Sequence, residues 1–235
     1  MNEVPYMSRL KIDARTKTKI INICSLIVNV AIVVIAAYAV CLMMIGGKEN
    51  NMAAGVKTFR YFTNLSNILV AAATMFVIPF NINSIISGKN ELPFWTAVCR
   101  FIGAVAVAET FITCVVFLGP TQGFKLVFSG AGLYLHVIVP VLAIIAAALS
   151  ENKIPFKLSF LGLLPTALYS IVYTIEVLLV KNWPDFYGFT FGGNYALIPL
   201  SVISTYALTA LISMGLNYLR NAISVAIDKK ISSQE

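Results

Sequence analysis

Six apolar runs, each long enough to cross a bilayer and parted by short polar turns, leave this chain few folds. They cover about 20–44, 58–86, 93–117, 130–149, 155–180 and 195–219. At about 1.5 Å per residue, such runs span a hydrocarbon core about 30 Å thick. Lipid offers backbone N–H and C=O groups no partner, so each run must satisfy its own as a helix. Charged residues make up only 11% of the chain, against about 25% in soluble domains. The expectation is an all-α integral membrane protein, one domain over residues 1–235, with six transmembrane helices in one bundle. No repeat relates the first three runs to the last three.

The charges point to topology rather than to nucleic acid, despite a net charge of +7. With the N-terminus cytoplasmic, the cytoplasmic segments hold Arg9, Lys11, Arg15, Lys17, Lys19, Lys89, Lys153, Lys157, Arg220, Lys229 and Lys230. The opposite segments hold Lys48, Lys57, Arg60, Lys125 and Lys181. Eleven against five satisfies the positive-inside rule with both termini cytoplasmic. Arg100, inside the third run, is expected to snorkel toward that side or to pair there. The first run is too long for a signal-peptide core and reads as a span. Beyond the last run, Ile223, Val225, Ala226 and Ile231 form the apolar side of a short interfacial turn. Compact form and minimal loops point to the cell (inner) membrane of a bacterium. Cys24, Cys41, Cys99 and Cys114 lie in apolar runs, without CxxC spacing, and read as small buried residues.

The second run opens on Arg60-Tyr61-Phe62-Thr63-Asn64-Leu65-Ser66-Asn67. At about 100° per residue, Thr63 and Asn67 share one helical face, with Arg60 and Asn64 beside them. Polar groups inside a membrane are costly, so this stripe should face other helices or water. Pro79 later in the run predicts a tilt or kink.

With this topology, several helices bring polar side chains to the outer third of the membrane. Thr63, Glu109, His136, Tyr173 and Glu176 all fall roughly 6–12 Å below the surface, counting about 1.5 Å per residue. The loop from Trp183 through Tyr187 to Phe191 is long, aromatic and placed to cover them. Pro140 stands four residues after His136 and cannot donate to that histidine's carbonyl, so the helix should open there. A single histidine excludes a multi-histidine metal centre, and no cofactor motif is present. A hydroxyl and a base remain. Thr63 with His136 suits acyl transfer, with Asn64 or Asn67 as oxyanion donors and Glu109 as a group that could orient the imidazole. Tyr173, Glu176, Trp183 and Tyr187 complete the candidate substrate-binding set.

These residues carry a resemblance. Tyr61-Phe62-Thr63-Asn64-Leu65-Ser66-Asn67 opening span 2, and Leu135-His136-Val137-Ile138-Val139-Pro140 near the start of span 4, resemble the androgen-induced-gene and FAR-17a family. Bacterial Pr6Pr-type membrane proteins look similar, including the Trp-Pro and aromatic loop before the last span. The resemblance implies an intramembrane threonine hydrolase of fatty acid esters of hydroxy fatty acids, with Thr63 and His136 at the positions of the catalytic pair. The expected partner is a membrane lipid or fatty acyl ester, entering laterally. Two rivals stay open: a transporter or channel with Glu109, Glu176 and His136 as an ion relay, and a non-catalytic lipid-binding protein.

Overall fold

The computed structural model describes residues 13–46, 54–149 and 152–232. Arg9, Lys11, Lys48 and Glu151 lie outside the described residues, as do the side chains of Ala226, Lys229, Lys230 and Ile231. Among the described residues all regular structure is helical, and six helices are long and apolar enough to cross a membrane. They are α1 (Ala14–Ile45), α2 (Phe62–Ser87), α3 (Phe94–Gln122), α4 (Ala131–Ala148), α5 (Phe156–Leu179) and α6 (Ile198–Ser232). Six successive helices put the start of α1 and the end of α6 at one end of the bundle, the terminal face. The start of α1 meets the end of α2 there, with Arg15 against Gly88. The opposite end carries the aromatic loop and is called the loop face.

α3 is the central helix. In its most apolar window 56% of the residues are buried, against 11% for α6. Small residues let the other helices approach it: Ala104, Ala106 and Ala108 are buried, and Gly103 rests against the Val70 backbone of α2. Ile32, Val70, Phe101, Val105, Val139 and Ala143 fill the shared core of α1, α2, α3 and α4. The loop-face end of α6 stands apart, with Leu200 and Ile203 exposed.

The expected spans overlap these helices, but α1 begins before residue 20, α6 runs well past residue 219, and the start of α2 differs with a consequence for the site. Residues Gly55–Arg60 form a separate 3-10 helix, and Tyr61 is extended before α2 begins at Phe62. Arg60 is therefore not on the α2 stripe. Its guanidinium lies 5.7 Å from the Trp183 ring, and its carbonyl accepts the Tyr169 hydroxyl at 2.6 Å. α2 runs on through Pro79 and stops at Gly88, whose left-handed φ of 69° suits glycine. The tail after Leu219 is no separate turn, because α6 continues unbroken to Ser232.

Arg100 does not snorkel. It is 1% exposed, and its Nη1 donates to Ser25 Oγ at 3.1 Å. Around it, α1 and α2 are joined by an amide cluster. Asn81 Nδ2 donates to Asn22 Oδ1 at 2.8 Å, and Asn29 Nδ2 to Asn81 Oδ1 at 2.9 Å. Such amide pairs hold helices together where water is absent. Only Cys114 is buried; Cys24, Cys41 and Cys99 lie on the outer surface of the bundle, because they fall on faces turned away from the core.

Candidate functional site

The aromatic loop is folded around one carboxylate. Asp185 Oδ1 accepts from the Tyr173 hydroxyl and the Phe189 N–H, both at 2.8 Å. Its Oδ2 accepts from the N–H and hydroxyl of Thr190, at 2.7 and 2.6 Å. Burial works to raise the Asp185 pKa, but the bonds from Thr190, Tyr173 and Phe189 outweigh it and hold the carboxyl below its ordinary value. The Tyr187 N–H donates to the Tyr173 hydroxyl at 3.2 Å, and the Tyr187 hydroxyl accepts the Phe62 N–H at 3.0 Å. That N–H is one that the first turn of α2 cannot use itself. Burial pushes the Tyr187 hydroxyl up, so it stays neutral. The loop is thus pinned to α5 and to the start of α2.

Beneath it lies a cavity of about 420 Å³ between α2, α3, α5 and α6. Tyr187, Phe189 and Phe191 form its lid, and Thr63, Glu109 and Thr166 are among its walls. Val116 and Leu200 stand at its margin and are 69% and 57% exposed. The cavity therefore opens sideways, between α3 and the loosely packed end of α6. Trp183 lies outside it, in a second, shallower hollow with Phe59 and Leu168.

Thr63 is buried and reaches the cavity wall. Among the described residues its hydroxyl makes no hydrogen bond, whereas its carbonyl accepts from Ser66 Oγ at 3.0 Å and Asn67 Nδ2 at 2.7 Å. Ser66 also pairs with the Thr110 hydroxyl of α3 at 3.1 Å. Asn64 faces away from the cavity's chemistry. Its Nδ2 holds the carbonyl and hydroxyl of Thr58, at 2.7 and 2.6 Å, and so fixes the turn before α2.

His136 sits in a π-helical segment, Tyr134–Ile138, directly before Pro140. There the Val139 N–H bonds Tyr134 O instead of Leu135 O. The next N–H that could serve Leu135 O would come from residue 140, and proline has none. Asn67 Nδ2 fills the vacancy, donating to Leu135 O at 3.1 Å. His136 Nδ1 lies 2.7 Å from Val127 O. A carbonyl only accepts, so Nδ1 carries the proton and Nε2 the free lone pair of the neutral ring. Phe128 packs edge-on against the imidazole, 6.2 Å between centroids. Asn67 thus links the Thr63 turn to the His136 turn, but no hydrogen bond joins Thr63 to His136, and His136 is not among the residues that line the cavity.

The two glutamates part company. Glu109 is buried on the cavity wall and accepts from the Thr166 hydroxyl of α5. It has no hydrogen bond to His136. Glu176 is half-buried at the end of α5 and accepts from Asn182 Nδ2 at 3.3 Å, away from the cavity. Among the described residues no three His, Cys, Asp or Glu side chains cluster as a metal site would require.

Sequence reasoning missed Asp185, Thr110, Thr166 and the hydroxyl side of α6. Ser201, Thr205, Thr209 and Ser213 recur every four residues, which places them on one face and was a readable signal. It also missed three π segments, Cys114–Leu118, Tyr134–Ile138 and Ile175–Leu179, all toward the loop face. Such segments frequently mark functional sites. Compared with known proteins, the chain matches no family profile, no curated protein and no solved structure.

Proposed function

We propose that this protein is an intramembrane hydrolase of fatty acyl esters, with Thr63 as nucleophile and His136 as general base. The observation that carries the reading is the unbonded Thr63 hydroxyl on the wall of a lidded, mostly apolar cavity of about 420 Å³. The resemblance of the Thr63 and His136 stretches to threonine hydrolases supports it. So does the histidine tautomer, which leaves Nε2 free to take a proton. The Thr63 hydroxyl proton passes to Nε2 as Oγ1 attacks the ester carbonyl. The C–O bond to the alcohol breaks, and the alcohol leaves with the proton from Nε2. Water, deprotonated the same way, then cleaves the acyl-threonine. Proton transfer needs Nε2 within about 3 Å of Oγ1, so the pair must close when substrate binds. In the bacterial cell membrane, with both termini cytoplasmic, the cavity opens to the outer leaflet.

The missing Thr63–His136 hydrogen bond favours a second reading, a lipid-binding protein without turnover. An ion relay has less support, because Glu109, Glu176 and His136 each bond different partners. The discriminating experiment offers the detergent-purified protein a fluorophosphonate probe and a branched fatty ester. Labelling and turnover lost in both Thr63→Ala and His136→Ala are expected. Labelling that survives both substitutions overturns the catalytic assignment, and a folded wild type that binds the ester without cleaving it supports the second reading.

A further inference from the structure

Glu109 is 4% exposed, yet among the described residues only one group hydrogen-bonds its carboxyl, the Thr166 hydroxyl. No lysine, arginine or histidine among the described residues pairs with it. A buried carboxylate without a cation is costly in a membrane protein, and intramembrane acids of this kind commonly meet a ligand or an ion. Here the carboxyl lies on the wall of the cavity, so a ligand can supply what the protein does not.

The rest of the cavity describes that ligand. Its walls are mostly apolar, and its side opening at Val116 and Leu200 faces the bundle exterior. An alkyl chain can therefore lie in it and extend into lipid. At about 420 Å³ it falls within the roughly 300–1,000 Å³ of small-molecule pockets. Elsewhere on the cavity walls, the hydroxyl oxygens of Thr110, Thr205 and Tyr206 can accept further hydrogen bonds. A fatty acid anion would meet like charge at Glu109, and an alcohol would leave the charge uncompensated. An ammonium group matches both the charge and the hydroxyl acceptors.

We propose that the cavity takes a single-chain amphiphile whose head is a protonated amine, held by Glu109. This goes beyond the hydrolase reading and does not depend on turnover. If both hold, the substrate class is an acyl lipid with a basic head.

The test is thermal unfolding of the full chain in a nonionic detergent, titrated with dodecylamine, dodecanol or dodecanoate. Ligand that binds only the folded state raises the midpoint. The expected result is a saturable rise with dodecylamine, at an apparent affinity about tenfold or more tighter than dodecanol, as a charge-assisted hydrogen bond implies. Glu109→Gln should lose that preference. Should Glu109→Gln fail to fold, Leu200→Trp at the exposed mouth should block the amine effect with Glu109 intact. Equal effects of amine and alcohol, no rise with the amine, or an amine preference that persists in Glu109→Gln overturns the proposal. The readout is binding and not turnover, so loss of the catalytic reading would leave this result standing.

Discussion

Asn67 reaches from α2 to donate a hydrogen bond to the carbonyl of Leu135 on α4, 3.1 Å away. That carbonyl is free because the π segment and Pro140 together remove its own helix's donors. One amide thus ties the Thr63 turn to the His136 turn. Asn67→Leu should leave Leu135 O buried without a donor, at a cost of about 1–3 kcal/mol. Denaturation in mixed detergent would measure it. An unchanged midpoint would mean that the bond holds nothing together.

The lid has its own pH dependence. The folded-state pKa of Asp185 lies below the ordinary aspartate value of 3.8. A carboxyl with a depressed folded pKa stabilises the fold above its unfolded pKa, and that contribution is lost as pH falls through the folded value. The loop 183–194 should therefore keep its hydrogen-exchange protection down to about pH 4 and lose it below. Asp185→Asn should loosen the loop at neutral pH, because an amide oxygen accepts more weakly and only one oxygen remains. Equal protection in variant and wild type at pH 7 would contradict this role.

Much of this architecture was legible as hydrophobic run length, which lipid enforces segment by segment. The number of spans and most boundaries follow from it. The site was legible in part. Thr63 stood out as a polar residue inside an apolar run, and Pro140 announced a break near His136. The carbonyl captured by the facing helix proved to be that of Leu135, because i→i+5 bonding shifts the pattern by one residue and leaves no periodic mark in sequence. Arg60 was read onto α2 because helical spacing continues through it, whereas the bonds from Asn64 to Thr58 fold that turn separately. The partner of Glu109 comes from α5, and only packing could reveal it.

Close approach of α2 and α3 depends on Gly103. A Cβ there would stand 2.9 Å from Val70 Cα, a backbone atom that cannot step aside. Gly103→Ala should push the helices apart and destabilise by about 1–3 kcal/mol. Gly215→Ala is the matched control. Nothing lies within 4 Å of its added carbon, and alanine gains up to about 1 kcal/mol of helix propensity. Equal melting temperatures for the two variants would show that α2 and α3 can separate without loss.

Arg100 makes the opposite prediction from most buried residues. It is 1% exposed, and among the described residues its one hydrogen bond goes to Ser25 and its Nε and Nη2 have no partner. No acid offsets its charge among the described residues, and Arg220 is the charged group that acts on it. Desolvating a guanidinium costs several kcal/mol, and one neutral hydrogen bond does not offset that. Removing it leaves no orphan behind, because Ser25 Oγ still accepts from Asn29 Nδ2 at 3.3 Å. Arg100→Met, of similar length and without charge, should leave stability unchanged or raise it by about 1–4 kcal/mol. Thermal unfolding in detergent decides the matter. A loss of more than about 1 kcal/mol would show that the guanidinium is compensated by an anion in the purified protein, and would make Arg100 a binding residue.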